Sequence, residues 1–298
     1  MKVFITGISG FVGRHLAEAL AASGHRVIGV GGRLAPAGLD LERIAYISAD
    51  TTRPGPWQDE ASQADVIVNL AGRTISRRWT RSYKKALYAS RIETTRHLVA
   101  ALNPAGRQVL LSASATGYYG DGGEAVLTED APAGEGFLAE LAADWERAAR
   151  AAADRGVRVC RMRFGVVLGA DGGALAEMLS AFRRGLGGPM GGGRQWFSWI
   201  HIQDLVDAIG HLMTADIAGA VNLTAPQPVR QADLARTLAR RLGKPAFLPA
   251  PAPLLRLALG EMATALLVSQ RVVPRRLTDE NFDFRYPDID SALSALVG

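Results

Sequence analysis

Three glycines near the start of the chain restrict its fold more than any other feature. A short apolar run, Lys2–Thr6, leads directly into Gly7, Gly10 and Gly13, and a helical pattern follows. In this context the first glycine allows a tight turn, the second lets a phosphate approach the backbone, and the third lets the helix pack on the strand. The N–H groups and positive dipole end of the helix favour an anion. The turn predicts a dinucleotide site with these contacts: Thr6, Gly7, Gly10, Phe11, Val12 and Gly13.

Short apolar runs alternate with helical patterns through the first half of the chain. Five runs after the first are interpreted as buried strands: 26–30, 44–48, 65–70, 108–113 and 157–164. Helical patterns follow the glycine turn and cover residues 82–103 and 137–154. Strands linked by helices in this order form a parallel sheet with helices on both faces. The sequence therefore predicts an α/β fold of the Rossmann type, a doubly wound parallel sheet.

Glycine and proline mark a change of character after residue 169. Residues 185–193 contain six glycines and one proline, which indicates an irregular loop, and the four prolines of 245–253 indicate an extended connector. A strand pattern at 199–202 is joined by three helical patterns: 204–213, 254–267 and 289–297. We expect a cofactor-binding domain from residues 1–168 and 196–224. The remaining ranges, 169–195 and 225–298, are expected to form a smaller C-terminal substrate lobe.

Composition excludes several classes of function. The net charge of +5 comes from arginines spread over many segments, which favours a solvated surface over nucleic-acid binding. Cys160 is the single cysteine, so no intramolecular disulfide is possible. No signal peptide and no apolar stretch of ~18 residues is found, so we expect a cytoplasmic protein without a membrane span. No set of His, Cys, Asp and Glu residues has the spacing of metal ligands, so we expect no metal. The expected partner is a small-molecule substrate.

The second strand pattern distinguishes between the two nicotinamide dinucleotides. An NAD site places a carboxylate here for the ribose 2′-hydroxyl, whereas an NADP site places an arginine for the 2′-phosphate. This chain reads Val30-Gly31-Gly32-Arg33, without a carboxylate. NADP(H) is therefore favoured over NAD(H), with Arg33 as the phosphate ligand; the alternative is a surface arginine in a loop.

Motifs along the whole chain carry a family resemblance. They begin with the glycine turn, Asp50, Asn69-Leu70-Ala71-Gly72 and Ser112-Ala113-Ser114, and continue with these segments: Arg78-Trp79, Ser90-Arg91, Gly117-Tyr118-Tyr119-Gly120, Trp145-Glu146, Gly185-Leu186-Gly187-Gly188, Ser198-Trp199-Ile200-His201 and Gly260-Glu261-Met262. The chain resembles the extended short-chain dehydrogenase/reductases of the NAD-dependent epimerase/dehydratase type. More closely, it resembles an atypical group called epimerase family proteins, which carry a C-terminal domain of unknown function.

The resemblance implies roles for residues after the third, fourth and fifth strands. Asp50 would accept a hydrogen bond from the adenine amino group, and Leu70, Ala71 and Gly72 would pass under the adenosine ribose. Ser112 and Ser114 would lie near the nicotinamide, with Ser114 at the position that holds the substrate oxygen. The alternative for Asp50 is an exposed carboxylate in a loop. The alternative for the residues after the fourth and fifth strands is an ordinary transition from strand to loop.

The proton-transfer pair of the superfamily is missing. Its members carry Tyr-x-x-x-Lys on the helix after the fifth strand, where the lysine lowers the tyrosine pKa. Here Phe137 and Leu141 stand at those positions, and neither can carry a proton. Tyr118 and Tyr119 are the alternative phenols. Without a nearby cation their pKa would stay near ~10, and Lys84, Lys85 and Arg91 are candidates for that cation.

Further substrate contacts are expected on loops at the carboxyl ends of strands. Arginine beside tryptophan suits a flat or anionic ligand, and the candidates of this region are Arg77, Trp79, Trp196 and His201. Core packing is the alternative for the tryptophans and for His201.

Two functions remain open, and a third, a partner-binding scaffold, is disfavoured by the intact glycine turn. The first is an NADP(H)-dependent oxidoreductase or epimerase for a small carbonyl or sugar-like substrate. The second is a non-catalytic NADP(H) sensor. Either would be a monomer or a homodimer, the latter through helices 82–103 and 137–154.

Overall fold

The computed structural model describes residues 1–34, 38–103, 105, 107–246 and 248–297. Its strands are β1 (Lys2–Thr6), β2 (Arg26–Gly31), β3 (Ile44–Ser48), β4 (Val66–Asn69), β5 (Val109–Ala115), β6 (Val126–Leu127), β7 (Arg158–Phe164), β8 (Val166–Gly169), β9 (Trp196–Phe197), β10 (Trp199–His201), β11 (Gly219–Leu223), β12 (Val229–Arg230) and β13 (Arg271–Val272). Its helices are α1 (Phe11–Ala22), α2 (Trp57–Ser62), α3 (Arg81–Ala101), α4 (Phe137–Arg150), α5 (Gly173–Arg183), α6 (Ile202–Thr214), α7 (Gln231–Arg241), α8 (Ala252–Leu259), α9 (Thr264–Leu267), α10 (Arg275–Asp279) and α11 (Ile289–Val297).

A seven-stranded sheet confirms the Rossmann-type prediction. Its order is β11-β7-β5-β4-β1-β2-β3, and every pairing in it is parallel. The first strand lies between β4 and β2, so the chain winds outward from β1 in both directions. Ligands of such sheets bind where the strand order reverses, outside the carboxyl ends of the strands. The glycine turn follows β1 and lies at this point.

Both faces of the sheet are covered, which explains the nearly continuous apolar strand sequences. Val3 and Ile5 pack in the cluster that contains α1 and α6. Phe4, between them, points to the other face and lies 6.3 Å from the ring of Trp57 on α2. A separate cluster joins α5, α7 and α11. The fold therefore has one core on each side of the sheet and one beyond it.

Two predicted elements differ in the structure. The helical pattern at 254–267 is split into α8, a 3-10 turn and α9 because Gly260 ends α8 with a φ of +64°. The strand predicted at 199–202 ends one residue earlier, at His201. Ile202 is instead the first residue of α6, and His201 is its N-cap. One strand of the main sheet, β11, was not predicted: its sequence, GAVNL, has a single β-branched residue and three residue types that are depleted in strands. Among the described residues, no helix is long and apolar enough to cross a membrane.

We expect Gly13→Ala to destabilise the fold. A Cβ at Gly13 would lie 2.5 Å from the carbonyl oxygen of Gly7 and 2.7 Å from Cα of Ile8, and backbone cannot move aside cheaply. The expected loss is about 1–3 kcal/mol of unfolding free energy, measured by urea denaturation. Gly210→Ala in α6 is the control, since no atom lies near its added Cβ. That substitution should raise stability by about 0.5–1 kcal/mol, and equal effects would contradict the packing argument.

Candidate cofactor and active site

The glycine turn and the end of β4 are in direct contact. Gly7 has a φ of +71°, and a Cβ there would lie 2.9 Å from backbone atoms of both Leu70 and Ala71. The hydroxyl of Thr6 donates to Oδ1 of Asn69 at 2.7 Å and accepts from the N–H of Ala71 at 3.2 Å. The structure thus brings these predicted cofactor residues together and holds the two loops in register.

The N-terminus of α1 is open. Gly10 is its N-cap, no side chain caps the first N–H groups, and the first turn has no acidic residue. The ring of Phe11 instead packs where side chains at Gly169 and Gly172 would stand, since a Cβ at either would lie 2.5 Å from it. Val12 is half-buried against the same core. The helix end can therefore accept an anion, while Phe11 fixes the segment after β8 against it.

Arg33 follows β2 with its side chain exposed. The start of its loop is held by Tyr46, whose hydroxyl lies 3.0 Å from the carbonyl oxygen of Gly31 and 2.5 Å from that of Arg33. The backbone of this arginine is therefore fixed while its guanidinium remains accessible.

Asp50 follows β3 at the same edge of the sheet. Its Oδ1 accepts from the hydroxyl and the backbone N–H of Thr52, at 2.7 and 3.0 Å. These hydrogen bonds, led by that of the hydroxyl, hold the carboxyl pKa below its ordinary value. Asp50 is therefore an ionised acceptor.

Arg91 lies beside Gly72, a contact that the sequence did not predict. A Cβ at Gly72 would lie 3.0 Å from the guanidinium carbon of Arg91. The guanidinium donates to the carbonyl oxygens of Leu87 and Arg73 and lies over Trp145, and within the described residues it forms no ion pair with a carboxylate. Burial lowers its pKa to about 10, so it stays charged at neutral pH. A half-buried guanidinium without an ion pair among the described residues is suited to an anionic or polar ligand.

A buried ion pair underlies the predicted active site. The carboxylate of Glu146 on α4 accepts from Nε of Arg163 on β7 at 2.7 Å and from a second nitrogen of that guanidinium at 3.0 Å. Arg161 donates to it at 3.0 Å. The hydroxyl of Ser114 donates to the same carboxylate at 2.8 Å. Ser112, two residues before, accepts from the side-chain amide of Asn69 at 3.1 Å.

Tyr119 belongs to the same buried network. Its hydroxyl lies 2.6 Å from Oδ1 of Asn222 on β11 and 2.8 Å from a nitrogen of Arg163. Burial raises its pKa to about 12, although Arg163 and Asn222 oppose the shift. The phenol is therefore protonated at neutral pH and already engaged in two hydrogen bonds. This placement disfavours Tyr119 as the acid/base group.

Tyr118 is placed differently from its neighbour. It is only half-buried, and its ring lies 3.6 Å from the guanidinium carbon of Arg163. Its ring meets that of Tyr119 edge-on, with centroids 5.4 Å apart. Of the two phenols, Tyr118 is the one that remains open to a ligand, beside a fixed cation.

The predicted relay helix, α4, contacts β5 and the turn after it through Glu146 and Leu138. Glu146 contacts Ser114, and Cβ of Leu138 lies 3.3 Å from the position of a Cβ at Gly117. Leu138 also packs with the predicted Phe137 and Leu141 in the cluster around Trp79. Residues 137–150 contain neither a tyrosine nor a lysine, so α4 cannot supply the usual proton relay.

The predicted substrate residues do not form one group. Trp79 is buried 5.3 Å from the ring of Phe137 and donates to the carbonyl oxygen of Ile75, as a core residue does. Arg77 is exposed nearby. Trp196 belongs to a different group, in which two guanidiniums lie over its ring and a carboxylate accepts from its Nε1: Arg230, Arg271 and Glu124.

His201 is a capping residue. Its Nδ1 accepts from the N–H of Gln203 at 3.0 Å, its ring lies 3.9 Å from that of Tyr286, and its Nε2 is buried with no hydrogen-bond partner among the described residues. Burial, with a smaller contribution from the charge of His15, lowers its pKa to about 4. The imidazole is therefore neutral, and no described group of three metal-ligating side chains surrounds it or any other site.

We expect His201 to make folding stability pH-dependent. Its pKa is lower in the folded state than in the unfolded chain, near 6.5, so the unfolded chain binds more protons between these values. Stability should fall as pH falls from 6.5 towards 4, by about 2–3 kcal/mol from this residue. His201→Asn keeps a cap acceptor and should remove that part of the loss in urea unfolding at several pH values. Parallel losses in the two proteins would contradict a buried neutral imidazole.

The sequence matches two family patterns. The NAD dependent epimerase/dehydratase family covers residues 3–223, and a domain of unknown function (DUF1731) covers residues 250–296. The chain is 39% identical over 302 residues to the chloroplastic epimerase family protein SDR39U1 homolog of Arabidopsis thaliana, with 100% of this chain and 87% of that protein covered. It is 39% identical over 300 residues to an epimerase family protein of Staphylococcus saprophyticus, with 98% of each covered.

Solved structures give the same relationship. The human epimerase family protein SDR39U1, solved with NADPH, superposes with a TM-score of 0.88 at 35% identity, covering 100% of this chain and 99% of that chain. A UDP-glucose 4-epimerase of Thermotoga maritima, solved with UDP-glucose, has a TM-score of 0.82 at 15% identity over 100% and 97%, a likeness of fold. The chain belongs to the NAD-dependent epimerase/dehydratase family and has the extended short-chain dehydrogenase/reductase fold.

Proposed function

We propose that this chain is an NADP(H)-dependent oxidoreductase or epimerase for a small carbonyl or sugar-like substrate, with a proton route that does not use α4. The uncapped N-terminus of α1, packed against the end of β4, is the observation that carries the proposal. It is supported by the NADPH in the human relative. When bound, NADP(H) donates or accepts a hydride.

The residues present fit the pyrophosphate and adenosine parts of this cofactor. Gly7 and Gly13 allow the turn to pack tightly, since a Cβ at either would lie within 2.9 Å of backbone atoms, and the uncapped N–H groups at the start of α1 can bind a pyrophosphate. In this assignment Arg33 binds the 2′-phosphate and Asp50 the adenine amino group. Arg91, beside Gly72, would add a half-buried positive charge near the ribose and phosphates.

Ser114 has a restricted role in this site. Because its proton is donated to the ionised Glu146, its oxygen can only accept a hydrogen bond from a ligand. Ser114 therefore suits a substrate hydroxyl better than a carbonyl oxygen, and the carbonyl form needs another donor. We assign that role to Tyr118, whose ring packs against Arg163 and whose neighbour Gly117 contacts α4.

A non-catalytic NADP(H) sensor is the second candidate. The observation that favours it is the same Ser114 hydrogen bond, together with the apolar Leu138 that α4 places beside Gly117. A protein of this kind would keep the cofactor cradle and respond to binding without turnover. The two candidates share the cofactor site and differ in whether Tyr118 exchanges a proton.

We expect Arg33→Ala to weaken NADPH binding far more than NADH binding. Losing a charged contact to the 2′-phosphate should raise the dissociation constant for NADPH roughly 10- to 100-fold, and the value for NADH by less than about twofold. Titration calorimetry measures both. Arg26→Ala, at the opposite end of β2 and also exposed, is the control and should change neither. Equal losses for both dinucleotides after Arg33→Ala would overturn the assignment.

We expect Tyr118→Phe to abolish most turnover. NADPH consumption is followed against a panel of carbonyls and nucleotide sugars, and loss of a general acid should reduce kcat roughly 100-fold or more without changing NADPH affinity. Tyr88→Phe, which removes a hydroxyl bonded to Asp144 on the outer side of α3 and α4, is the control. Tight NADPH binding without turnover of any substrate by the wild type would instead support the sensor.

A further inference from the structure

A second arginine reaches the loop that follows β2. Arg14 lies in the first turns of α1, one residue after the last glycine of the turn. Its guanidinium lies against Gly38, where a Cβ would be 2.7 Å from one of its nitrogens. Arg33 lies near the start of the same loop. The two arginines therefore approach the loop from opposite ends.

The sequence of this loop contains no carboxylate. Residues 31–39 contain no Asp or Glu. The next acid, Asp40, accepts from the N–H of Glu42 within its own turn. Nothing in the loop sequence therefore neutralises either guanidinium.

Arg14 has only a loose contact with an acid. Its nearest carboxylate oxygen, on Asp171, is 3.7 Å away, beyond hydrogen-bond distance. Asp171 is already bonded to Nε2 of His15, at 3.0 and 3.2 Å from its two oxygens. The side chain of Arg14 is 28% exposed, so it is partly ordered and still reachable from solvent. Its N–H donors are available to a stronger acceptor.

We propose that Arg14 is the second ligand of the adenosine 2′-phosphate and, with Arg33, determines the choice of NADP(H) over NAD(H). The inference rests on the proposed cofactor site. A phosphate monoester dianion can accept hydrogen bonds from two guanidiniums at once, whereas a ribose hydroxyl offers no charge to either. Arg14 also has an advantage that Arg33 lacks: it is attached to the helix whose N-terminus faces the pyrophosphate, so its distance from the cofactor is fixed by regular structure.

The alternative is that Arg14 is only a strut between α1 and the neighbouring loops. Loss of a purely structural arginine would lower stability and would weaken the binding of NADPH and NADH equally. The chain offers a matched example in Arg43, which donates to the carbonyl oxygen of Ala21 at the far end of the same helix. Arg43→Met is therefore the control for loss of a structural arginine that contacts α1.

The test measures dissociation constants for NADPH, NADH and 2′,5′-ADP by titration calorimetry, in wild type and four variants: Arg14→Met, Arg14→Lys, Arg33→Ala and Arg43→Met. We expect Arg14→Met to raise the dissociation constants of NADPH and 2′,5′-ADP roughly 10- to 50-fold, and that of NADH by less than about twofold. Arg14→Lys should recover part of the loss because it restores the charge. Arg43→Met should change the dissociation constants of NADPH and NADH by the same factor, if it changes them at all. Thermal unfolding without ligand shows whether each variant is folded.

Two results overturn the inference. Equal losses for NADPH and NADH in Arg14→Met, or no loss of NADPH affinity in a folded Arg14→Met, would make Arg14 a strut. These outcomes are separate from failure of the proposed cofactor site. If that site were wrong, the wild type would show no preference for NADPH, and Arg33→Ala would leave both affinities unchanged.

Discussion

The Glu146 carboxylate is the interaction on which the site is built. It is buried on α4 and accepts from Arg163 and Arg161 of β7 and from Ser114 of β5. A buried charge is tolerated only when its partners satisfy it, and removing one partner of such a pair typically costs about 3–5 kcal/mol. Arg163 carries the network on to Tyr119 and through it to β11. One carboxylate thus fixes a helix and three strands at the carboxyl edge of the sheet.

The same constraint shapes the chemistry. The hydroxyl of Ser114 donates its hydrogen bond to Glu146, so the serine that would hold a substrate oxygen is an acceptor here. Tyr119 is held by the network with a pKa raised to about 12. Ser114 and Tyr119 are therefore held in structural hydrogen bonds, which leaves neither hydroxyl free to donate a proton to a ligand. Tyr118 is outside the hydrogen-bond network but in contact with its arginine, which leaves it free for a ligand.

The sequence predicted those parts of the fold that local patterns determine. The bounds of β1 and β3 match the structure because each is an apolar run bounded by polar or turn residues. The glycine turn was found because its spacing has a mechanical reason. The Glu146–Arg163 pair was not found, since its partners are 17 residues apart on different elements and look like ordinary surface charges in the sequence. Tyr119 and His201 were candidates by type, and only the packing around them shows that they are buried and engaged.

Arg91 illustrates the limit in another way. Its sequence position on a helix gave no reason to place it beside Gly72, which is 19 positions away, and only the β4–α3 geometry joins them. Arg14 likewise reaches a loop that begins after the next strand. Charges that face a ligand are difficult to distinguish from solvated charges until the fold shows which of them lack an anion.

The central claim is that NADP(H) binds at the carboxyl edge of the sheet while the hydroxyl of Ser114 continues to donate its hydrogen bond to Glu146. A crystal structure of the protein with NADPH tests it most directly. The account predicts the pyrophosphate at the N-terminus of α1, the 2′-phosphate at the loop after β2, and an intact hydrogen bond from Ser114 to Glu146. A dinucleotide bound elsewhere, or a Ser114 hydroxyl turned from Glu146 towards the nicotinamide, would contradict it.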